Sequence, residues 1–558
     1  MAVVLANLLP GVMNPAWLTG PIFDKELRVS SRRRRNYALR TTYVLLLTAL
    51  VTMAWFTAFF GPGSTSFGYM ASRMGAVGRA VIMTITWFQF IVAQVAAVLM
   101  LSNAISDEIR RGTLDVLLTT PVNSFQIVMG KLLGSLLQAV LLLATSLPLL
   151  AIVRVFGGMT WEYVVSSLAV TLTAMILAGS VTMFLSIRLL RPYVVIITML
   201  VLLVAAYALA ILVLPLSGNN PVTTIILHIN PFAALFHVSG VALRAVGSVA
   251  GFSCPVHCLV MLIGSLLFVA ASVVKTRKAV ACPPLDRTGN QVKSLLQRVF
   301  RLGGPVKKVG RSLGQIEGSP IIWRELGCPL SATVRRNVWI FVILLVVMFL
   351  AYCMFNTGAA PAYGIYIMGL WLITSVRTGA MAALTISKER EARTWPILLG
   401  TELTDRQIVR DKAVVVLWRN LPGWLVIAVN SVAFYLFLRF SGRLGIGAEW
   451  TFFVLLRVIV GNIAIIGNLL FLIGAGLYFG MRFKSATAAV VATLASLLGL
   501  FFLQRFSFFL YYMIARFVGF SGFNFAYVFY SAVNAALFIG IAIFFLRSVT
   551  RRLRKNVF

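Results

Sequence analysis

Residues 105–131 read ISDEIRRGTLDVLLTTPVNSFQIVMGK, and residues 386–412 read ISKEREARTWPILLGTELTDRQIVRDK. The two stretches align without a gap over 27 positions, of which 11 are identical. The identities are Ile105/Ile386, Ser106/Ser387, Glu108/Glu389, Thr113/Thr394, Leu117/Leu398, Leu118/Leu399, Thr120/Thr401, Gln126/Gln407, Ile127/Ile408, Val128/Val409 and Lys131/Lys412. Each copy is a charged segment wedged between two long apolar stretches. Further upstream, PIFDKEL at 21–27 parallels PIIWREL at 320–326. This pattern reads as a fused tandem duplication, and duplicated halves are a common way to build a pathway across a bilayer.

Working outward, the flanking stretches set the class. The chain has 558 residues, 60% of them hydrophobic and only 11% charged, with a mean hydropathy of +0.94. That composition excludes an ordinary soluble domain. About 20 apolar residues cross the hydrocarbon core as a helix. Twelve stretches qualify, centred in 41–60, 78–103, 131–153, 163–187, 193–215, 256–274, 338–355, 363–385, 413–437, 451–479, 486–510 and 524–546. A membrane barrel would alternate apolar and polar residues, and the run 194–214 does not. The expected fold is an all-α polytopic membrane protein of about 12 transmembrane helices in two homologous six-helix halves.

A formal charge of +34 raises the question of nucleic acid, which its distribution answers in favour of topology. Basic residues crowd the N-terminal segment around Arg32 to Arg35, the central stretch around Lys307 and Lys308, and the tail around Arg551 and Arg552. The loops near 61–76, 217–252, 356–362 and 511–523 carry few. By the positive-inside rule both termini and the centre are cytoplasmic, and nucleic acid is not an expected partner. The expected location is the cell inner (cytoplasmic) membrane, with basic flanks available to anionic lipid headgroups. The apolar first thirteen residues precede the arginines instead of following a basic region, which argues against a cleaved signal. The organisation is a first half over 1–278, a basic linker over 279–318 rich in Gly and Pro, and a second half over 319–558.

Five cysteines make no disulfide framework. The cluster Cys254, His257 and Cys258 is a ligand short of a structural zinc site, so ordinary packing is the expectation and no metal is assigned. Within each repeat, a mixed charged and apolar run suits a short amphipathic helix at the membrane surface. Asn123 with Gln126, and Thr404 with Gln407, then have capping-box spacing that restarts a span. Glu108/Glu389 and Thr113/Thr394 fit either partner contacts or helix capping.

These residues resemble the permease subunits of ABC-2 type ABC transporters. The resemblance rests on PIFDKELR near the N-terminus and DEIRRGTLDVLLTTPVNSFQIVMGK after the second span, and it extends over both halves. It implies six spans per half, an N-terminal interface helix, and a cytoplasmic coupling helix between spans two and three. Carried over by residue, the first coupling helix involves Asp107, Glu108, Arg111, Gly112, Thr113 and Leu114. The second involves Lys388, Glu389, Glu391, Arg393, Thr394 and Trp395. Lys25 and Glu26, and Arg324 and Glu325, mark the interface helices. Asn230, Pro231 and Phe232 resemble an outer re-entrant element, with a plain helix-start turn as the alternative. The second half departs from the pattern where Arg393 replaces Gly112 and Glu402 replaces Pro121.

The chain has no G-x-x-x-x-G-K-[ST] phosphate loop. The resemblance therefore implies a separate cytoplasmic ABC ATPase subunit, in two copies, which holds the ATP and Mg; this chain itself needs no cofactor and is not an enzyme. A secondary transporter would need carboxylates within the spans, where almost none occur. A membrane enzyme would need a convergent set, and the three histidines, His228, His237 and His257, all belong to one region. A scaffold that recruits an ATPase without moving cargo is the remaining alternative. Arg377, Arg457, Arg505 and several Asn residues are the ionisable or polar groups inside spans, with snorkelling and helix packing as their default roles.

Overall fold

The computed structural model describes residues 34–59, 67–111, 123–155, 159–189, 191–213, 221–242, 252–281, 319–326, 360–440, 448–517 and 523–553, together with Ile22, Phe23, Lys25, Glu26, Arg28 and Trp339. Among them no strand occurs, and the protein is an all-α membrane protein. Two compact units divide the chain, Met1–Pro305 and Val306–Phe558.

The first unit contains α1 (Arg34–Phe59), α2 (Phe67–Leu101), the short α3 (Ser106–Arg111), α4 (Ser124–Ala144), α5 (Leu147–Val155), α6 (Trp161–Leu189), α7 (Pro192–Val213), α8 (Pro221–Ile229), α9 (Pro231–Ala242) and α10 (Cys254–Ala281). The second contains α11 (Pro320–Leu326), α12 (Ala360–Glu391), α13 (Trp395–Leu399), α14 (Asp405–Phe440), α15 (Ala448–Arg482), α16 (Ala486–Phe517) and α17 (Phe523–Arg552). Proline stands first in α7, α8, α9 and α11, where its missing N–H costs nothing and its φ suits the helix.

Eight helical stretches among the described residues are long and apolar enough to cross a membrane: Val77–Leu101, Ser124–Ala151, Trp161–Leu189, Cys254–Thr276, Ile367–Glu391, Asp405–Ala433, Val458–Arg482 and Ser531–Arg552. The shorter apolar stretches Arg40–Met53, Pro192–Tyr207 and Ala486–Leu500 fall on the expected first, fifth and eleventh spans. The expected seventh, 338–355, lies outside the described residues apart from Trp339. Thr223–Ile229 and Pro231–Ala242 pass the same test only as a pair, bent by 109°.

Packing in the second unit depends on small residues. A Cβ on Gly474 would lie 3.0 Å from the Ala542 carbonyl of α17, and one on Gly476 would lie 2.4 Å from Ala382 Cβ and 2.9 Å from Ala383 N of α12. Gly480 comes equally close to the Ala383 carbonyl, at 2.6 Å. Such approaches let backbones pack directly, the usual way helices associate in lipid. In the first unit the tightest of the described glycines, Gly179, meets only side-chain ends, those of Leu101 at 2.9 Å, Leu136 at 3.1 Å and Leu132 at 3.8 Å. The core of each unit contains its own copy of the repeat: Ile105 and Val128 in the first, Ile386 and Val409 in the second.

Candidate functional site

Each repeat joins two spans, and each is held by the lysine that ends it. In the first unit Lys131 Nζ donates to the Ala104 carbonyl at 2.6 Å and pairs with Glu108 at 2.9 Å. In the second, Lys412 Nζ donates to the Thr385 carbonyl at 3.1 Å and pairs with Glu389 at 3.1 Å. Thr385 and Ala104 occupy the same register of the alignment, so the lysine closes the same loop in both copies. Ser106 and Ser387 also match, their hydroxyls donating to the carbonyls of Ser102 at 3.2 Å and Ala383 at 2.7 Å.

The second copy has further connections. Lys412, 0% exposed, also pairs with Glu325 of α11 at 2.8 Å, and Arg324 pairs with Glu389. The two carboxylates are thus matched by two cations, which a buried charge requires. Arg419 donates to the Glu325 carbonyl, and Ser319 Oγ donates to Asp411 at 2.5 Å. At the last residue of α12, Glu391 accepts from the Ala486 N–H at 2.7 Å, placing a carboxylate on the positive end of α16. Arg390 donates to the Met481 carbonyl at the end of α15.

The close of α12 is a Schellman motif. The Thr394 N–H donates to the Glu389 carbonyl at 3.0 Å and the Arg393 N–H to the Arg390 carbonyl at 3.2 Å. Arg393 has φ 56°, the left-handed value such a motif needs and glycine adopts most easily. Gly112 stands at the aligned position of the first copy. The chain then turns through α13, whose Trp395 and Leu398 are buried in the core while Ile397 is 73% exposed. At the restart, Gln407 accepts from the Thr404 N–H at 2.9 Å and its own N–H donates to Thr404 Oγ1 at 3.4 Å, completing the expected capping box. Gln126 accepts from the Asn123 N–H at 3.1 Å in the same way.

The expected site residues therefore separate by role. Glu108, Glu389 and Glu325 form ion pairs, Glu391 caps a neighbouring helix, Thr394 closes α12, and Trp395 is an anchor. Lys388 and Arg393 are exposed, as is Lys25. Glu26 is half-buried, its Cβ 3.1 Å from where a Cβ on Gly134 would stand. Asp107 and Arg111 lie in α3, but their side chains, with Gly112, Thr113 and Leu114, lie outside the described residues. The exposed feature that the repeat did not single out is Ile397. Its signal was available, an apolar residue between Trp395 and Leu398 where spacing sends it to the opposite face.

Elsewhere, Asn230 caps α9: its Oδ1 accepts from the Phe232 N–H at 3.0 Å and its Nδ2 donates to the Ala206 carbonyl at 2.7 Å. It does so at the sharp break between α8 and α9, so the helix-start turn and the bent apolar pair are one feature. Arg377 donates to the Arg419 carbonyl at 3.3 Å, and Asn462 bridges α15 to Ser431 of α14 at 3.0 Å. The side chains of Arg457 and Arg505 lie outside the described residues. No protein-family model and no curated protein matches this chain.

Proposed function

We propose that the chain is the membrane-spanning permease subunit of an ATP-driven ABC exporter, built as two fused six-span halves with both termini and the repeated segments on the cytoplasmic side. A separate ATPase in two copies docks on the two segments, and its closure on ATP shifts the halves between two packings. Such coupling requires ATP to favour one packing over the other. The sparse charge of the spans suits an apolar or amphipathic cargo. The observation that carries this reading is α13: a five-residue helix held between two spans, anchored by Trp395 and Leu398, with Ile397 turned outward. An exposed apolar residue on a braced connector is suited to receive a push and pass it to two spans.

Affinity co-purification from native membranes tests this, comparing wild type with Ile397→Asp. The variant leaves the Lys412 ion pairs intact, whereas charge reversal at Glu389 would disturb the fold itself. Recovery of an ATPase with wild type and its loss with a monodisperse Ile397→Asp protein supports the assignment. Wild type that brings down no ATPase under conditions preserving membrane complexes overturns it in favour of a secondary transporter.

A further inference from the structure

The sequence has three histidines, and all three rings pack around one phenylalanine. His237 of α9 lies 5.0 Å from Phe252 between ring centroids, His228 of α8 5.3 Å, and His257 of α10 6.5 Å. His257 Nδ1 is held by the carbonyls of Leu227 at 3.1 Å and His228 at 2.9 Å, and His228 Nδ1 by the Thr224 carbonyl at 2.7 Å. A carbonyl only accepts, so Nδ1 carries the hydrogen in both rings and Nε2 keeps a bare lone pair. Both Nε2 atoms, and Nδ1 of His237, are buried without a partner. Among the described residues no three His, Cys, Asp or Glu side chains converge as metal ligands. Each of these lone pairs is able to take up a proton.

We propose that His228, His237 and His257 form a proton-sensitive latch that holds the bent pair α8 and α9 against α10. With uncharged rings, the His257 N–H bridges the last carbonyls of α8, and Phe252 fills the space between the three elements. One proton is tolerated, because an imidazolium at His257 keeps its bonds to the Leu227 and His228 carbonyls at the negative end of α8. A second proton places two like charges around one ring. Among the described residues, the other titratable groups on the elements packed here are Cys254 and Cys258 on α10, Tyr163 on α6, whose hydroxyl meets Ser239 at 3.3 Å, and Tyr207 on α7, edge-on to Phe232. Glu162, at the start of α6, is exposed. Among the described residues none of these supplies a buried counter-charge, so a second proton drives the bent pair away from α10.

The test uses the full chain in lipid nanodiscs carrying Phe252→Trp, with wild-type emission subtracted, because an imidazolium quenches an adjacent indole. Acidification from about pH 8 to pH 5 spans the histidine range and is expected to quench the difference emission and then shift it to the red. Adding His228→Gln, His237→Gln and His257→Gln is expected to abolish both changes. A signal flat with pH, or one that persists without the histidines, overturns the latch. Should Phe252→Trp fail to fold, hydrogen exchange on the unmodified chain decides. After scaling for intrinsic pH dependence, peptides covering 221–258 must exchange faster at low pH; simple scaling there also overturns the proposal.

Discussion

The two copies of the repeat use one lysine differently. Lys131 joins the end of its preceding span to Glu108 and stops there among the described contacts, with the Glu108 side chain 27% exposed. Lys412 is fully buried and takes a second carboxylate, Glu325, from the helix that opens the second unit. The aligned lysine thus closes a local loop in the first copy and ties three segments in the second. The approach of the upstream motif differs accordingly. Glu26 packs its Cβ against Gly134, whereas the aligned position in the second copy is the buried Val415. A repeated residue keeps its local contact, while the long-range one is set by what surrounds it.

The most severe way to break this comparison is to remove the lysines. Lys412→Met leaves Glu325 and Glu389 with one cation less in a buried setting, and is expected to cost about 3–5 kcal/mol. Lys131→Met removes the buried lysine that pairs with one partly exposed carboxylate and is expected to cost about 1–3 kcal/mol. Thermal unfolding of the detergent-solubilised variants checks the order; equal losses would mean that Glu325 contributes nothing to the second copy. Next come the glycines. Gly476→Ala meets backbone and Cβ atoms of Ala382 and Ala383, which cannot move aside, and is expected to cost about 1–3 kcal/mol. Gly179→Ala meets only leucine methyl groups and is expected to cost less, about 1 kcal/mol, by the same measurement.

Much of this fold was legible because its rules are local. Apolar length marked eight of the twelve expected spans among the described residues, and Thr404 with Gln407 marked a helix start. The site was less legible because identity between copies reports shared folding as readily as shared docking. Every identical pair whose contacts are described in both copies has an internal role: Ile105/Ile386 in the core, Ser106/Ser387 bonded to the preceding turn, Glu108/Glu389 and Lys131/Lys412 in ion pairs, Gln126/Gln407 in caps. A contact such as Lys412 with Glu325 joins residues 87 apart, and no periodicity predicts it. Ile397, the exposed apolar residue of α13, aligns with Val116 and so falls outside the set of identities.

The restart caps sharpen the comparison at a smaller scale. Thr404→Ala removes the hydroxyl that accepts the Gln407 N–H and is expected to cost about 1 kcal/mol. Asn123→Ala should cost a similar amount if the first copy uses its side chain as the second does. Unfolding midpoints of the two variants, measured side by side, give the answer, and a neutral Asn123→Ala would leave Gln126 as the first copy's working half of the box.

The smallest expected effect runs the other way, toward stability. Arg393 holds a left-handed backbone that costs a non-glycine residue about 1–2 kcal/mol. Glycine relieves that strain but loses more chain entropy on folding, about 0.5–1 kcal/mol. Arg393→Gly should therefore raise stability by roughly 0.5 kcal/mol. Because Arg393 is exposed and Thr394 closes the motif through its own N–H, the change removes no described anchor. A loss of stability instead would mean that the Arg393 side chain contributes more than its backbone strain costs. The reciprocal Gly112→Arg asks whether the first segment ends its helix in the same way: a loss of similar size says that it does, and no loss says that the two segments end their helices differently.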